Sequence, residues 1–181
     1  FMPESFVSND LNSSNAWDLS LGSFLDSVVS KNPDKVFLEI LGQSVTYHEF
    51  QERTMRAAAI FRSLGIVHGD RVCLYLPNCP EFLYCWFGLS RIGAIAVPIN
   101  TAYKTNETAY ILNNSGAVAV VGHSNIISSL YEAAASSPEV KHRLVVSTLE
   151  SDFMDAQWLD FKSLLDGTEL SDLADNIAPS D

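Results

Sequence analysis

From residue 70 onward, short apolar runs alternate with helical segments, and this alternation limits the possible fold more than any other feature. The runs RVCLYL, AIAVP, AVAVV and RLVVS begin at residues 71, 94, 117 and 143. A spacing of 23 to 26 residues leaves room for one helix between successive strands, as in βαβ units of a parallel sheet. The runs are almost wholly apolar, which is typical of strands covered on both faces. We therefore predict an α/β fold whose parallel sheet carries helices on both faces.

The preceding residues follow a different pattern. Apolar residues recur at helical spacing over residues 21–29. Two β-like runs then flank Gly42-Gln43, and a glycine at the first turn position predicts a two-residue hairpin. Thr46 and Glu49 form a Thr-x-x-Glu capping box at the start of a second helix, which Gly65 ends. The sequence thus predicts an early helix, β-hairpin and helix before the parallel sheet.

Charge is unevenly placed along the chain. The formal net charge is −11, which argues against a nucleic-acid partner. From Glu150 to the end, nine acidic residues accompany one base, Lys162. We interpret this tail as a solvated linker, with an acidic docking segment as the alternative. The predicted division is a loose lead-in over 1–19, the early elements over 20–66, the βαβ subdomain over 67–150, and an acidic linker over 151–181.

The number and spacing of the cysteines and histidines argue against a metal site and against a disulfide framework. Cys73, Cys79 and Cys85 are odd in number and form no CxxC pair, which favours buried, reduced thiols in a cytoplasmic protein. The four histidines lack metal-ligand spacing, so we predict no metal site. The longest apolar run, Phe82–Leu89, is far shorter than the ~20 residues that span a bilayer. We therefore expect no membrane span.

Three polar residues follow predicted strands at the edge where parallel sheets bind ligands. Asn78, Asn100 and His123 are the candidates for a ligand-binding crevice. The alternative for each is structural: Asn78 can cap the helix that begins near Pro80, and Asn100 and His123 can serve as turn residues. No GxGxxG, GxxxxGK[ST] or GxSxG motif occurs, and no Ser-His-Asp set follows from spacing. From chemistry alone, no catalytic or cofactor-binding residue can be named.

Residues 46–121 contain a series of short landmarks. In chain order they are Thr46-Tyr47, Leu64-Gly65, Gly69-Asp70-Arg71-Val72, Pro77-Asn78, Pro80-Glu81-Phe82, Gly93-Ala94, Val97-Pro98 with Asn100, Thr105-x-Glu107 and Ser115-Gly116-Ala117. Each is weak alone, but the ordered set resembles the amino-terminal part of the adenylate-forming enzymes, which include acyl-CoA synthetases, aryl-CoA ligases and luciferases. Within that family the stretch over residues 78–100 looks most like the crotonobetaine/carnitine-CoA ligases.

The resemblance implies a function for a longer protein. Such an enzyme joins a small carboxylic acid to CoA through an acyl-adenylate, using ATP and Mg²⁺. The family's phosphate loop, of the form TSGTTGxPKG, does not occur in this sequence. The resemblance therefore implies an amino-terminal fragment that is inactive alone and binds none of these cofactors. It also implies that the early elements lack most of a second sheet, so we expect exposed apolar surface on the helix over 47–64 and self-association.

A second hypothesis belongs to a different class: a complete, non-enzymatic α/β binding or regulatory module, such as a receiver-like domain. Receiver-like domains need clustered acidic residues at strand ends to hold magnesium and a phosphoacceptor. Here the strand ends carry Asn78, Asn100 and His123, without an aspartate. The sequence therefore favours the ligase hypothesis.

Overall fold

The computed structural model describes residues 21–146 and 157–168. The helices there are α1 (Leu21–Val29), α2 (Tyr47–Ser63), α3 (Pro80–Arg91), α4 (Thr105–Ser115), α5 (Ile127–Ala135) and α6 (Phe161–Gly167). The strands are β1 (Val36–Ile40), β2 (Gln43–Thr46), β3 (Arg71–Tyr75), β4 (Ile95–Pro98), β5 (Ala119–His123), β6 (His142–Val146) and β7 (Trp158–Asp160). Strands β3 to β7 form one parallel sheet in the order β4-β3-β5-β6-β7, whereas β1 and β2 form a separate antiparallel pair.

Helices cover both faces of the parallel sheet, which confirms the predicted fold class. On one face, residues of α1, α2, α3 and α6 share a core with Val72, Leu74 and Val121. On the other face, α4 and α5 pack on Cys73, Tyr75 and their neighbours in the sheet. Successive residues of β3 alternate between these two cores because side chains of a strand point to opposite faces. Both faces are covered at the inner strands, so residues 72–75 of β3 and 119–122 of β5 are all apolar and buried.

Helices α2 and α3 approach each other closely at Gly88. A Cβ atom built on Gly88 would lie 2.7 Å from the Cβ of Ala57 and 3.1 Å from the carbonyl oxygen of Thr54. Only glycine permits this separation, since any side chain would collide with the backbone of α2. The close approach buries the apolar face of α2 against α3.

This burial shows that one expectation was wrong. We expected the helix over 47–64 to expose apolar surface, but Phe50, Ala57 and Phe61 on α2 are fully buried. Phe50 contacts Tyr84 and Phe87 of α3, and Phe61 stacks on Phe161 of α6. Helices of the same chain therefore cover the surface for which self-association was expected. Self-association itself stays a prediction, without support from this helix.

The hairpin turn lies one residue earlier than predicted. We expected Gly42-Gln43 as the turn pair, but the turn residues are Leu41 and Gly42, with φ values of 52° and 75°. Two positive φ angles are the geometry of a type I′ turn. The register pairs Leu38 with Val45 and Ile40 with Gln43. This register places Leu38 and Val45 together on the core side, and that burial outweighs the strain at Leu41.

The predicted acidic linker also needs correction where the structure describes it. Residues 158–160 form β7, which pairs with β6 in the parallel sheet, and α6 follows directly. Asp160 caps α6 by accepting hydrogen bonds from the backbone N–H groups of Lys162 and Ser163. Trp158 and Phe161 are buried in the two cores. This segment therefore belongs to the folded unit, whereas the predicted lead-in and the rest of the linker lie outside the described residues.

Candidate functional site

The carboxyl end of the sheet contains a topological switch point between β3 and β5. These strands are neighbours, and their register pairs Tyr75 with Gly122. The helix after β3 packs on one face of the sheet, whereas the helix after β5 packs on the other. Because the two connections diverge, the space between the strand ends, which we call the crevice, is where open α/β sheets bind ligands. Asn78 follows β3, His123 is the last residue of β5, and Asn100 follows the adjacent β4.

Asn78 does not cap α3, contrary to the structural alternative in the sequence analysis. The N-cap is Cys79, with φ −141° and ψ 161°, and it makes no side-chain capping hydrogen bond. Proline at the first helical position explains this result, since Pro80 restricts its predecessor to the extended backbone that an N-cap needs. Asn78 consequently lies one residue before the N-cap. Its side chain is exposed at the crevice.

Asn100 has a structural role in the loop between β4 and α4. Its Oδ1 atom accepts a hydrogen bond of 2.9 Å from the backbone N–H of Ala102, which closes a turn. The hydroxyl of Tyr75 lies 2.9 Å from the carbonyl oxygen of Thr101 and 3.0 Å from that of Tyr103, and its single proton can serve either acceptor. The turn and this hydroxyl together hold the loop against β3.

Tyr75 supports the loop beside these candidates, a role that the sequence pattern does not predict. It is only 2 % exposed, and burial raises the pKa of its phenol, which stays protonated as a donor. The available signal was a tyrosine near the end of an otherwise apolar strand, because a buried tyrosine hydroxyl needs a hydrogen-bond partner. Sequence alone does not identify that partner, since the loop carbonyls lie 26 and 28 residues away along the chain.

His123 is the most buried of the three candidates, with 7 % of its surface exposed. Its Nδ1 atom accepts a hydrogen bond of 3.2 Å from the backbone N–H of Asn125, so the ring proton lies on Nε2. Burial lowers the pKa of the imidazole, and the nearby Glu81 carboxylate offsets part of that effect. At neutral pH the side chain is therefore an uncharged imidazole. Its remaining donor is the Nε2–H group.

Glu81, in the first turn of α3, is a second residue that the sequence analysis did not select. It is half-buried, and its charge raises the pKa of His123, Cys79 and Tyr84. Burial is the larger cause for the thiol, and the pKa of Cys79 rises to about 12. The thiol is consequently protonated at neutral pH and is not a nucleophile. The carboxylate supplies the negative charge beside the crevice.

The cysteines are buried, as the sequence predicted. All three have free thiols, and burial raises the pKa of Cys73 to about 11 and that of Cys85 well above its ordinary value. Protonated thiols are poor metal ligands. Among residues 21–146 and 157–168, no three histidine, cysteine or acidic side chains group in a way that could hold a metal ion. The same ranges contain no helix that is both long and apolar enough to cross a bilayer.

The structure places the three candidates along one edge of the sheet, but it does not join them into a catalytic set. Their strands lie in the order β4, β3, β5, so Asn100, Asn78 and His123 lie at the carboxyl ends of three neighbouring strands. Within the described part of the chain, no hydrogen bond links any two of these side chains. The arrangement provides an amide, an imidazole donor and a carboxylate beside a crevice. Such groups can orient a polar ligand, and none of them is an activated nucleophile.

Among known proteins, one family matches almost the whole chain. The family described as AMP-binding enzyme matches residues 25–178. A crotonobetaine/carnitine–CoA ligase of Proteus mirabilis is 42 % identical over 110 residues, which are 60 % of this chain and 21 % of that protein. A protein of the same name from Salmonella paratyphi A is 56 % identical over 70 residues, or 39 % of this chain and 14 % of that protein. The chain therefore spans about a fifth or less of these relatives' length.

Solved structures show the same fold. The benzoate CoA ligase from Burkholderia xenovorans LB400 superposes with a TM-score of 0.70 at 21 % identity. The superposition covers 82 % of this chain and 28 % of the ligase. At this identity the likeness concerns the fold alone.

Proposed function

Because the chain belongs to the AMP-binding enzyme family, we propose that it is the amino-terminal part of an ATP-dependent acid–CoA ligase. The observation that carries the proposal is the family match over residues 25–178. The 42 % identity with a crotonobetaine/carnitine–CoA ligase supports a small carboxylic acid as the substrate class. In the proposed reaction, the carboxylate attacks the α-phosphate of ATP to form an acyl-adenylate and pyrophosphate. The thiol of CoA then displaces AMP to form the thioester.

The residues of this chain do not fit the triphosphate of ATP. At the carboxyl end of the sheet, the described side chains near the crevice include the neutral His123, the amide of Asn78 and the anionic Glu81. A triphosphate with Mg²⁺ needs cationic groups and a cradle of backbone N–H groups, and the glycine-rich loop that forms one does not occur in the sequence. We therefore assign ATP, Mg²⁺ and CoA binding to the remainder of the longer protein and expect this chain alone to bind none of them.

We propose a positioning role for the crevice residues in the longer protein. The exposed amide of Asn78 and the Nε2–H of His123 are available to hold a polar group of substrate or CoA. Asn100 and Tyr75 support this role indirectly, since they hold the loop beside β3. We also propose a cytoplasmic protein without a nucleic-acid partner, on the basis of three free buried thiols and a net charge of −11.

ATP–pyrophosphate exchange tests the proposed function. The longer protein should catalyse exchange that depends on a small carboxylic acid, and it should form a thioester when CoA is added. The present chain alone should catalyse no exchange. Acid-dependent exchange by this chain alone would overturn the assignment of the phosphate site to the remainder. A longer protein that forms neither adenylate nor thioester would overturn the ligase proposal itself.

A further inference from the structure

His123 ends β5 and also caps the turn that follows it. Its backbone has φ −120° and ψ 133°, the extended conformation of an N-cap residue. Its Nδ1 atom accepts a hydrogen bond of 3.2 Å from the backbone N–H of Asn125, in the 3₁₀ turn Ser124–Ile126. Histidine differs from the usual capping residues because it loses this acceptor when the ring takes up a proton. The cap therefore depends on the protonation state of one imidazole.

The turn that His123 caps leads directly into α5, which packs closely on β5. A Cβ atom built on Gly122 would lie 2.4 Å from Cδ2 of Leu130 and 2.9 Å from Cδ1 of Ile127. Strand and helix are thus in close contact beside the cap. Because α5 begins at Ile127, immediately after the 3₁₀ turn, the backbone between the cap and this residue determines how the helix starts.

The imidazole lies on the face of the sheet that α3 covers. Side chains alternate along β5, and Val121, two residues earlier, belongs to the core that α3 shares. Burial lowers the pKa of His123, and the carboxylate of Glu81 at the start of α3 offsets part of that effect. Within the described part of the chain, Glu81 is the one charged group whose field shifts this pKa. A protonated ring therefore has one anionic partner there.

The other elements around this strand end contribute no second charge on that face. In β3, burial raises the pKa of Tyr75, and before α3 it raises that of Cys79, so both groups stay protonated at neutral pH. In β6, the residue paired with His123 is Val146, which does not titrate.

The capped turn and α5 add no charge on that face either. The residues Ser124–Ile126 include no titratable side chain. On α5, the carboxylate of Glu132 accepts a hydrogen bond from Thr105 of α4, on the opposite face of the sheet. Tyr131 stacks on Trp158, also on that opposite face.

We infer that His123 is a proton-sensitive cap at the carboxyl end of the sheet. A proton on Nδ1 sets two donors against each other, because the N–H of Asn125 points at the same atom. The ring must then rotate, and the imidazolium pairs with the Glu81 carboxylate. The turn loses its cap, and the first residues of α5 loosen. The neutral ring holds the turn closed at neutral pH, and mild acid opens it, whatever reaction the longer protein catalyses.

NMR spectroscopy of the 15N-labelled chain tests this inference without a substitution. The imidazole nitrogen shifts report the protonation of His123, and the amide protection factor of Asn125 reports the capped turn. Between about pH 8 and about pH 4.5, protection should fall several-fold as the ring takes up its proton. The exposed His48 is the internal control, since its titration should not affect Asn125. Constant protection of Asn125 through the titration of His123, or a ring that stays neutral throughout, would overturn the inference.

Three substitutions separate the cap from the proton. In His123→Asn the side chain keeps a capping acceptor that does not titrate, so Asn125 should stay protected over the whole pH range. Glu81→Gln removes the partner of the imidazolium and should lower the pH at which protection is lost. His48→Asn is the matched control and should behave like the unsubstituted chain. An acid-dependent loss of protection that persists in His123→Asn would show that another group opens the turn, which would overturn the inference.

Discussion

The two ends of the parallel sheet use their polar groups differently. At the amino end, the guanidinium of Arg71 donates hydrogen bonds to the carbonyl oxygens of Ser115 at 2.9 Å, of Gly116 at 2.5 Å and of Gly69 at 3.2 Å. Asp70 accepts a hydrogen bond from the backbone N–H of Val67 at 2.9 Å. These side chains satisfy backbone groups at the end of α4 and in the turn before β3. At this end, polar side chains form hydrogen bonds to backbone groups and thereby hold the loops in place.

At the carboxyl end, polar groups remain available. The amide of Asn78 is exposed, and the Nε2–H of His123 is free of any hydrogen bond within the described residues. Tyr75 and Asn100 are the exceptions, since both hold the loop after β4. We therefore expect the polar side chains of the amino end to contribute more to stability, whereas the carboxyl end combines a supported loop with groups free to meet a ligand. Substitutions at the two ends should separate these contributions.

Arg71→Met should cause the largest loss in the free energy of unfolding. The substitution keeps the aliphatic stem but removes three charge-assisted hydrogen bonds to backbone carbonyls. Hydrogen bonds of a charged group contribute about 1.5–3 kcal/mol, so we expect the free energy of unfolding to fall by about 2–3 kcal/mol. Urea denaturation measures this loss. Lys141→Met is the control at the same end, since that side chain is exposed and should change the stability little.

Tyr75→Phe should lower the free energy of unfolding less than Arg71→Met does. The change should be confined mainly to the loop at the carboxyl end of the sheet. The substitution removes the hydroxyl that bridges the loop carbonyls and keeps the buried ring, so a loss of about 1 kcal/mol is expected. Amide hydrogen exchange should increase over residues 100–104 and stay unchanged around Arg71. Uniform acceleration throughout the sheet would show that the hydroxyl supports the whole fold rather than this loop.

His123→Gln should alter the pH dependence of stability. Burial holds the pKa of the folded imidazole below its ordinary value of 6.5, although Glu81 offsets part of the shift. Just below pH 6.5 the unfolded chain therefore binds a proton that the folded chain does not, so stability falls as the pH decreases through this window. The variant should lose that slope between the two pKa values. Urea denaturation at several pH values measures the slope, and an unchanged slope in the variant would contradict this role of burial.

Asn78→Ala should have the smallest effect on stability. The side chain is exposed and is not the cap of α3, so the free energy of unfolding should change by less than about 0.5 kcal/mol. A loss near 1 kcal/mol, the usual cost of a removed N-cap, would show that Asn78 caps the helix after all. In the longer protein, the same variant should raise the KM for acid or CoA. An unchanged KM for both would remove Asn78 from the proposed site.

Local elements were predictable because their signals are local. The Thr46–Glu49 capping box forms as expected, with a hydrogen bond of 2.8 Å from the Thr46 N–H to the Glu49 carboxylate. Gly65 has φ 79°, as a left-handed helix stop requires. By contrast, the sequence predicts a linker where β7 forms, because three strand residues in an acidic segment carry little signal. Pairing with β6 made that short segment a strand.

The candidate site was predictable in position but not in its details. A parallel sheet places its functional edge at the carboxyl ends of its strands, so Asn78, Asn100 and His123 could be selected from spacing alone. Their roles depended on neighbours distant in sequence. The loop contact of Tyr75 spans more than 25 residues, and the charge of Glu81 reaches His123 from another element. No local pattern contains such contacts.

The sequence by itself determined the family, the strand–helix alternation and the parallel sheet, because periodicity, caps and ordered landmarks are properties of short stretches. Only the tertiary structure decided the sheet order, the burial of α2 and the freedom of the Asn78 side chain. It also left Trp86 and Ile95 exposed. The physical reason is that burial and hydrogen-bond partners depend on which surfaces meet. That outcome is set by packing across the whole domain, not by neighbours along the chain.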